Sequence, residues 1–465
     1  MADPRRDRRR PGGRPPRLTP TVDAARLAAY DVLKAVRVHD AYANLALPTA
    51  LREHGLSGRD AAFATELVSG TIRGQGTYDA VLAACVDRPL AKVEDKVRDA
   101  LRLGAHQLLA MRVPDHAAIS TTVDLVRDKA DRSTAGFANA VLRRVAEHDL
   151  AGWVRRVAPD PGTDPVGFAT MAHSHPRWVV EALRAAVGES ELNDLLAADN
   201  RPPRVVLVAR PGRSNRDELP GQPTAFSPYG VELAGGDPGS VPAVAEGRAG
   251  VQDEGSQLVA VALVAASVEG RDDRWLDLCA GPGGKAALLA ALARERNARV
   301  LANERQEHRA GLVARSLAGA GGVLGIVAAD GTCPPWPPAT FDRVLVDAPC
   351  SGLGALRRRP EARWRRTPAD LDALVPLQRA LLGAVLESVR PGGVVLYATC
   401  SPVLVETAGV VEAVLSDHPE VALEDAQALL PDVPDCDGPL PGTVQLWPHR
   451  HGTDAMFMAV LRRTG

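Results

Sequence analysis

The stretch Val344-Leu345-Val346-Asp347-Ala348-Pro349-Cys350-Ser351-Gly352 leaves this chain few ways to fold. Val344 to Asp347 reads as a buried strand, apolar and β-branched, ending on a carboxylate. Pro349 cannot continue as an interior ladder member, so the chain must leave the sheet there. Asp347 and Cys350 therefore arrive together at the carboxyl end of a strand, which in open α/β sheets is where ligands bind. Val394 to Thr399 repeats the pattern and hands over Cys400, Ser401 and Pro402. Two strands that each deliver a cysteine to one sheet edge point to thiol chemistry. A cysteine after a strand is otherwise commonly a small buried hydrophobe, and on the residues alone nucleophile and structural thiol both stay open. Zinc is disfavoured, because no C-x-x-C pair or nearby His completes a tetrahedral set.

A length of 465 residues suggests roughly two to four domains with ample core. No apolar run is long enough to span a bilayer, and no signal-peptide hydrophobic region follows the N-terminus. Six scattered cysteines argue against a disulfide framework, so a cytoplasmic protein is expected, without membrane or metal partners and acting as a monomer. The net charge of −2 hides an asymmetry: arginines stand at 5, 6, 8, 9, 10, 14 and 17 among Pro and Gly. Residues 1–20 should be a disordered basic tail, either a nonspecific RNA contact or a solubilising leader. Lysine is scarce, which makes Lys285, inside a glycine loop, more pointed.

From 21 to 150 the pattern is helical, with Val97, Leu101, Leu108 and Met111 on one face and Phe137, Val141, Leu142 and Val145 repeating the period. Six or seven short helices in a bundle are expected, with Ser57 and Asp60 as a capping box opening one at Gly58. Residues 151–250 read as a linker and a small α+β unit, with a strand from Arg204 to Ala209. From 251 to 465 the order is that of a doubly wound sheet. Trp275 to Cys279 is a strand, Ala280-Gly281-Pro282-Gly283-Gly284-Lys285 a glycine loop, and Ala286 to Ala293 a helix. The spacing is neither G-x-G-x-x-G nor G-x-x-x-x-G-K-S/T, so a nicotinamide cofactor and a P-loop are both disfavoured. Glu304 after the second strand suits two ribose hydroxyls, and Asp330 after the third an adenine edge. Either acid alone would more commonly be a turn former; in series with Asp347 they point to S-adenosylmethionine. Residues 415–450 read as a surface loop with a degenerate helix.

D-A-P-C-S-G at 347–352, R-R-R-P-E at 357–361 with Trp364, and T-C-S at 399–401 resemble the RNA 5-methylcytosine methyltransferases. Within them the arrangement is similar to the RsmB/Sun family of 16S (small-subunit) ribosomal RNA enzymes, over nearly the whole chain from about residue 21. The resemblance implies three folded parts. They are an all-α RNA-binding bundle like the antitermination factor NusB, a ferredoxin- or RRM-like α+β RNA-binding unit, and a Rossmann-like class I methyltransferase domain dependent on S-adenosylmethionine. It assigns Cys279, Ala280, Gly281, Pro282, Gly283, Gly284, Lys285, Glu304, Asp330 and Asp347 to the cofactor. It makes Cys400 the nucleophile and Cys350 the residue that assists product release, with Asp347 on the target base and Lys285 orienting it. Two departures stand out: Glu304 replaces the usual Asp, and Asp454-Ala455-Met456-Phe457 stands where D-G-F-F is common.

Covalent activation suits carbon 5 of cytosine, which is a poor nucleophile until a thiolate adds to carbon 6. The resemblance also implies small-subunit ribosomal RNA as the partner, with Arg143 and Arg144 of the bundle in contact with it. Arg357, Arg358 and Arg359, with Trp364 as a stacking platform, are expected to clamp a flipped-out stretch of single-stranded RNA. An exposed, salt-bridged helix start is the plainer reading of the same segment. Competing functions are the same chemistry on another RNA such as tRNA, a DNA cytosine methyltransferase, and a non-catalytic antitermination-like scaffold. T-C-S and the helical bundle speak against the DNA enzyme, and the glycine loop with both cysteines against the scaffold.

Overall fold

The computed structural model describes residues 22–464. The arginine-rich segment 1–20, and the RNA contact expected of it, lie outside the described residues. The helical periodicity that follows forms helices Ala24–His39, Ala43–Glu53, Gly58–Arg73, Gln75–Cys85, Asp95–Leu109, Asp115–Lys129 and Arg132–Val145. Leu67, Val81, Leu101 and Leu142 are fully buried at their centre. Gly104 lets the closing helix approach, since a Cβ there would stand 2.7 Å from the Leu142 side chain. The helix at Gly58 begins as expected, but Ser57 makes no capping bond. Gly58 has φ +54°, which turns the chain through the left-handed region and takes the hydroxyl away from the first turn. A capping box does form at Thr367 and Asp370.

The segment read as one α+β unit divides between two cores. Strands β1 (Val206–Ala209), β2 (Gln222–Pro223), β3 (Gly230–Glu232) and β4 (Ala249–Val251) pair antiparallel in the order β2-β3-β1-β4. They close over Leu207, Val231 and Ala249. The preceding helices Arg177–Val187 and Leu192–Asp199 instead pack Val180, Leu183 and Leu196 against Leu353, Leu356, Val403 and Trp447. The first three of those partners belong to the loops that follow the two cysteines.

Asp199, at the end of one of these helices, is buried and neither carboxylate oxygen is hydrogen-bonded. Burial pushes its pKa from 3.8 up to about 7, with Arg363 opposing the shift. The folded chain therefore keeps a proton that the unfolded chain releases, and the contribution of Asp199 to stability falls as pH rises from 3.8 to about 7. His175 beside it is held well below its usual range by burial and acts in the opposite direction as pH falls below 6.5. Asp199→Asn removes only the first slope. The stability of the variant relative to the parent should grow with pH across that window and level off above it. Denaturant titrations at several pH values that run parallel for the two proteins would refute this assignment.

The C-terminal sheet contains β5 (Arg274–Asp277), β6 (Arg299–Asn303), β7 (Val323–Val327), β8 (Phe341–Asp347), β9 (Val389–Thr399), β10 (Val421–Glu424), β11 (Val444–Gln445) and β12 (Phe457–Arg463). Its order is β10-β12-β9-β8-β5-β6-β7, with β11 on β12. Strands β5 to β9 are parallel and β12 is antiparallel to β9. The chain runs outward from β5 to β7, then returns to β8 on the other side of β5. That reversal opens a crevice at the carboxyl ends of β5 and β8. Residues 415–450 are more ordered than their Pro and Asp content suggests. β10 extends the sheet, and Leu430, Val433, Cys436 and Leu446 join the core around Leu258 and Met456. No helix among the described residues is long and apolar enough to cross a membrane.

Candidate active site

In the parallel pairing of β8 with β9, Asp347 lies opposite Ala398. Both strands end within a residue of that register, so their exits run side by side. Cys350 Sγ and Cys400 Sγ are 3.5 Å apart. The hydrogen bond between them lowers the Cys400 thiol below its usual range, against the opposing effect of burial. Asp347 adds to that opposition, while Lys285 and Arg359 lower the thiol further. The same hydrogen bond, reinforced by burial, holds Cys350 well above that range. The two thiols are thus polarised: Cys350 keeps its proton and Cys400 is the readier thiolate. Lys285 Nζ donates to Asp347 Oδ2 at 2.8 Å. Burial alone would draw the Lys285 ammonium down, but Asp347 outweighs it and the net shift is upward, so the lysine stays charged.

One carboxylate underlies both cysteine loops. Glu406, fully buried, accepts the Ser351 amide at 2.7 Å and the Ser351 and Ser401 hydroxyls at 2.6 Å each. Gln378 Nε2, on helix Pro368–Ser388, donates to it at 3.0 Å.

On the other side of the crevice the glycine loop follows β5. The Ala280 amide donates to Asn303 O at 2.8 Å, and Asn303 Nδ2 donates to Leu278 O at 2.9 Å, so β6 holds the loop's first turn. The bare backbone of Gly281 lets the Glu304 carboxylate come close, since a Cβ there would lie 2.1 Å from Glu304 Oε2. Gly283, at φ +113°, leads into helix Gly284–Glu295. The Pro282 carbonyl accepts from Ser316 Oγ at 3.1 Å. Glu304 is buried, with Oε1 taken by the Gln306 amide and Oε2 facing the loop. Asp330 accepts from the Thr332 amide and hydroxyl, which hold its carboxyl below the usual range. The Cys279 thiol is pushed well up by burial and then by Asp277. Asp277 ends β5 fully buried, with neither carboxylate oxygen hydrogen-bonded. Burial, and then the nearby Asp347, push it up to about 8. An orphaned carboxylate beneath a glycine loop fits a cationic ligand group, and Glu304 fits a neighbouring pair of hydroxyls.

The arginine segment differs from the expectation. Arg357 is buried and bonds to Gly452 O and Asp454, while Arg358 joins Asp454 to Asp253. Asp454 thus closes a buried ionic network, and Ala455 donates its amide to Gly354 O, whose own amide donates to Cys400 O. Trp364 is not an open stacking platform. Its indole N–H donates to Ile72 O at 2.8 Å and the ring packs on the core of the helical bundle. Apolar surface on both sides of an aromatic ring is better buried than left in water, whatever charges flank it in sequence. Arg363 is fully buried, donating to Ser174 O and Asn200 Oδ1, and Arg365 donates to Val36 O and Ala41 O. Of the expected RNA contacts, Arg143, Arg144 and Arg359 are exposed. Arg144 pairs with Asp87, and Arg359 lies over the Tyr42 ring.

Two family models match the chain, one described as 16S rRNA methyltransferase RsmB/F over residues 266–462, the other as the NusB family over 23–147. The putative methyltransferase Rv1407 of Mycobacterium tuberculosis is 52% identical over 460 residues, covering 97% of this chain and 99% of its own. The probable ribosomal RNA small subunit methyltransferase B of Synechocystis is 32% identical, covering 95% and 99%. The chain belongs to the RsmB/F family. The crystal structure of PH0851 shares the fold, at 22% identity and TM-score 0.78, covering 96% of this chain and 99% of that one.

The RsmB/F assignment makes the chain a methyltransferase with a NusB domain ahead of an α/β domain, as the motifs led one to expect. Sequence reasoning passed over Asp277, Asn303 and Glu406. A carboxylate closing an otherwise apolar strand, W-L-D-L-C, was a usable signal for Asp277. No motif marks Glu406: Ser401 lies five residues before it, but its other side-chain partners, Gln378 and Ser351, lie 28 and 55 residues away.

Proposed function

We propose that this chain methylates carbon 5 of a cytosine in 16S ribosomal RNA through a covalent Cys400–RNA intermediate. The reading is carried by the polarised Cys350–Cys400 pair at the carboxyl edge of a methyltransferase sheet. The Cys400 thiolate adds to carbon 6 of the base, forming a C–S bond and pushing the ring electrons toward carbon 5. The Asp347–Lys285 pair meets ring nitrogen 3 and steadies the charge that develops there. S-adenosylmethionine, when bound, supplies an electrophilic methyl group. Carbon 5 would take that methyl and then give up its proton to a solvent base; the electrons of that C–H bond restore the ring double bond while the C–S pair leaves with sulfur, releasing Cys400 as a thiolate. Cys350, which holds its proton beside the departing sulfur, assists that last step. Asp277 would hold the cofactor's cationic end, and Glu304 and Asp330 its nucleoside. Exposed Arg143, Arg144 and Arg359 supply phosphate contacts. Parts 21–150, 151–250 and 251–465 serve as RNA-binding bundle, linker with a small α+β RNA-binding unit, and catalytic domain.

Bisulfite mapping of small-subunit ribosomal RNA tests the reading directly. One cytosine protected in cells that carry the chain should lose protection when the gene is deleted. Unchanged protection throughout that RNA would refute the substrate. For the cofactor, Glu304→Gln should weaken S-adenosylmethionine by about 1–3 kcal/mol, the range for a lost charge-assisted hydrogen bond. Equal calorimetric affinity in parent and variant would remove Glu304 from the ribose.

A further inference from the structure

We infer that Glu406 is a positioning residue that sets the spacing of the two catalytic thiols. Its catalytic consequence rests on the covalent reading proposed above. The residue bonded to each cysteine on its C-terminal side is a serine, and the two serine hydroxyls meet 3.0 Å apart over one Glu406 oxygen. The other oxygen takes the backbone amide of Ser351 and the Gln378 side chain. Gln378 Nε2 also donates to Pro349 O at 2.8 Å, so the residues on both sides of Cys350 are tied to this centre. The Glu406 backbone is fixed in turn, since its carbonyl accepts the Tyr397 hydroxyl from inside β9 at 2.8 Å.

A buried carboxylate is costly unless donors surround it, and here the donors come from both cysteine loops and the helix beneath them. Strand pairing stops at Thr399 and Asp347; beyond it the Gly354 amide donates to Cys400 O and Leu353, Leu356 and Val403 share one core, while Glu406 ties the two loops at the residues next to the cysteines themselves. Glu406 touches neither sulfur. It acts through Ser351 and Ser401, and what it controls is the distance at which one thiol can donate to the other. The serines after the two cysteines thereby link the loops, because each presents one hydroxyl proton to the same acceptor.

Glu406→Gln keeps the shape and the Ser351 amide contact but places an amide N–H where a shared acceptor stood. Phenylarsine oxide reads the pair without reference to activity, because it closes a ring only across two neighbouring thiols, releasing its oxygen as water. The parent should hold it against excess monothiol, and Cys350→Ala should not. Glu406→Gln should lose ring closure while binding S-adenosylmethionine as tightly as the parent. Its kcat should fall by about a hundredfold, as for a misplacement near 1 Å, with KM for RNA little changed. Should Glu406→Gln fail to fold, Ser401→Ala and Ser351→Ala each remove one hydroxyl donor and should show the same split in smaller measure. A folded Glu406→Gln that keeps both ring closure and kcat would overturn the inference. Lost ring closure with undiminished methylation would uphold the positioning role and overturn the covalent reading instead.

Discussion

Cys400→Ala is expected to abolish both methylation and any covalent enzyme–RNA species, with cofactor affinity intact. Removing a nucleophile should cost on the order of 10⁴-fold or more in kcat, because the remaining groups can bind and orient but cannot activate carbon 5. Cys350→Ala should differ in kind. Attack and methyl transfer remain available to it, but the thiol whose sulfur stands 3.5 Å from the departing one is gone. The adduct should then accumulate when S-adenosylmethionine is present, as a denaturation-resistant, RNase-sensitive band of raised mass. The double variant should behave like Cys400→Ala, because attack precedes release. The opposite pattern, a stalled adduct only in Cys400→Ala, would reverse the roles. Full activity in both single variants would make the thiols structural and end the covalent mechanism for this chain.

Trp364→Ala should cost about 3 kcal/mol, the lower end for aromatic truncation because the indole is only half-buried. The variant loses packing on the bundle core and the hydrogen bond to Ile72 O together. Arg365 and the Ala43–Glu361 contact should loosen with it, since they join the same two bodies. Scanning calorimetry should resolve two thermal transitions where the parent shows one. A chain shortened to begin near residue 160 should still bind cofactor, but bind RNA more weakly and with a shallower salt dependence. One cooperative transition at the parental temperature in Trp364→Ala would show that the indole does not couple the domains.

The cysteine pair was legible because each half is written locally. An apolar run, a proline and a cysteine specify a strand exit, and two parallel neighbours must deposit their exits side by side. The glycine loop was legible for the same reason: close approach and left-handed backbone leave glycine as the simplest solution. Trp364 was misread because the arginines beside it in sequence say nothing about Ile72, which lies 292 residues away. Arg357 and Arg358 failed likewise, their partners Asp253 and Asp454 being remote. Residues 415–450 lack a period because prolines interrupt it, yet Leu430, Val433 and Cys436 still bury well without regular structure. Asp277 reads as any strand-end acid in sequence, because only the folded surroundings bury it without a well-formed hydrogen bond.

The Trp364 contact also bears on how the protein is made. The bundle is translated ahead of the α/β domain, yet part of its surface is completed by residues 361–365, supplied after more than two hundred further residues have been translated. Until then the groove beside Val36, Ala41 and Ile72 stays open. Arrival of the tryptophan closes it together with the loop that begins at Cys350. The nascent chain thus completes the surface of its helical bundle and receives its Cys350 loop in the same stage of synthesis.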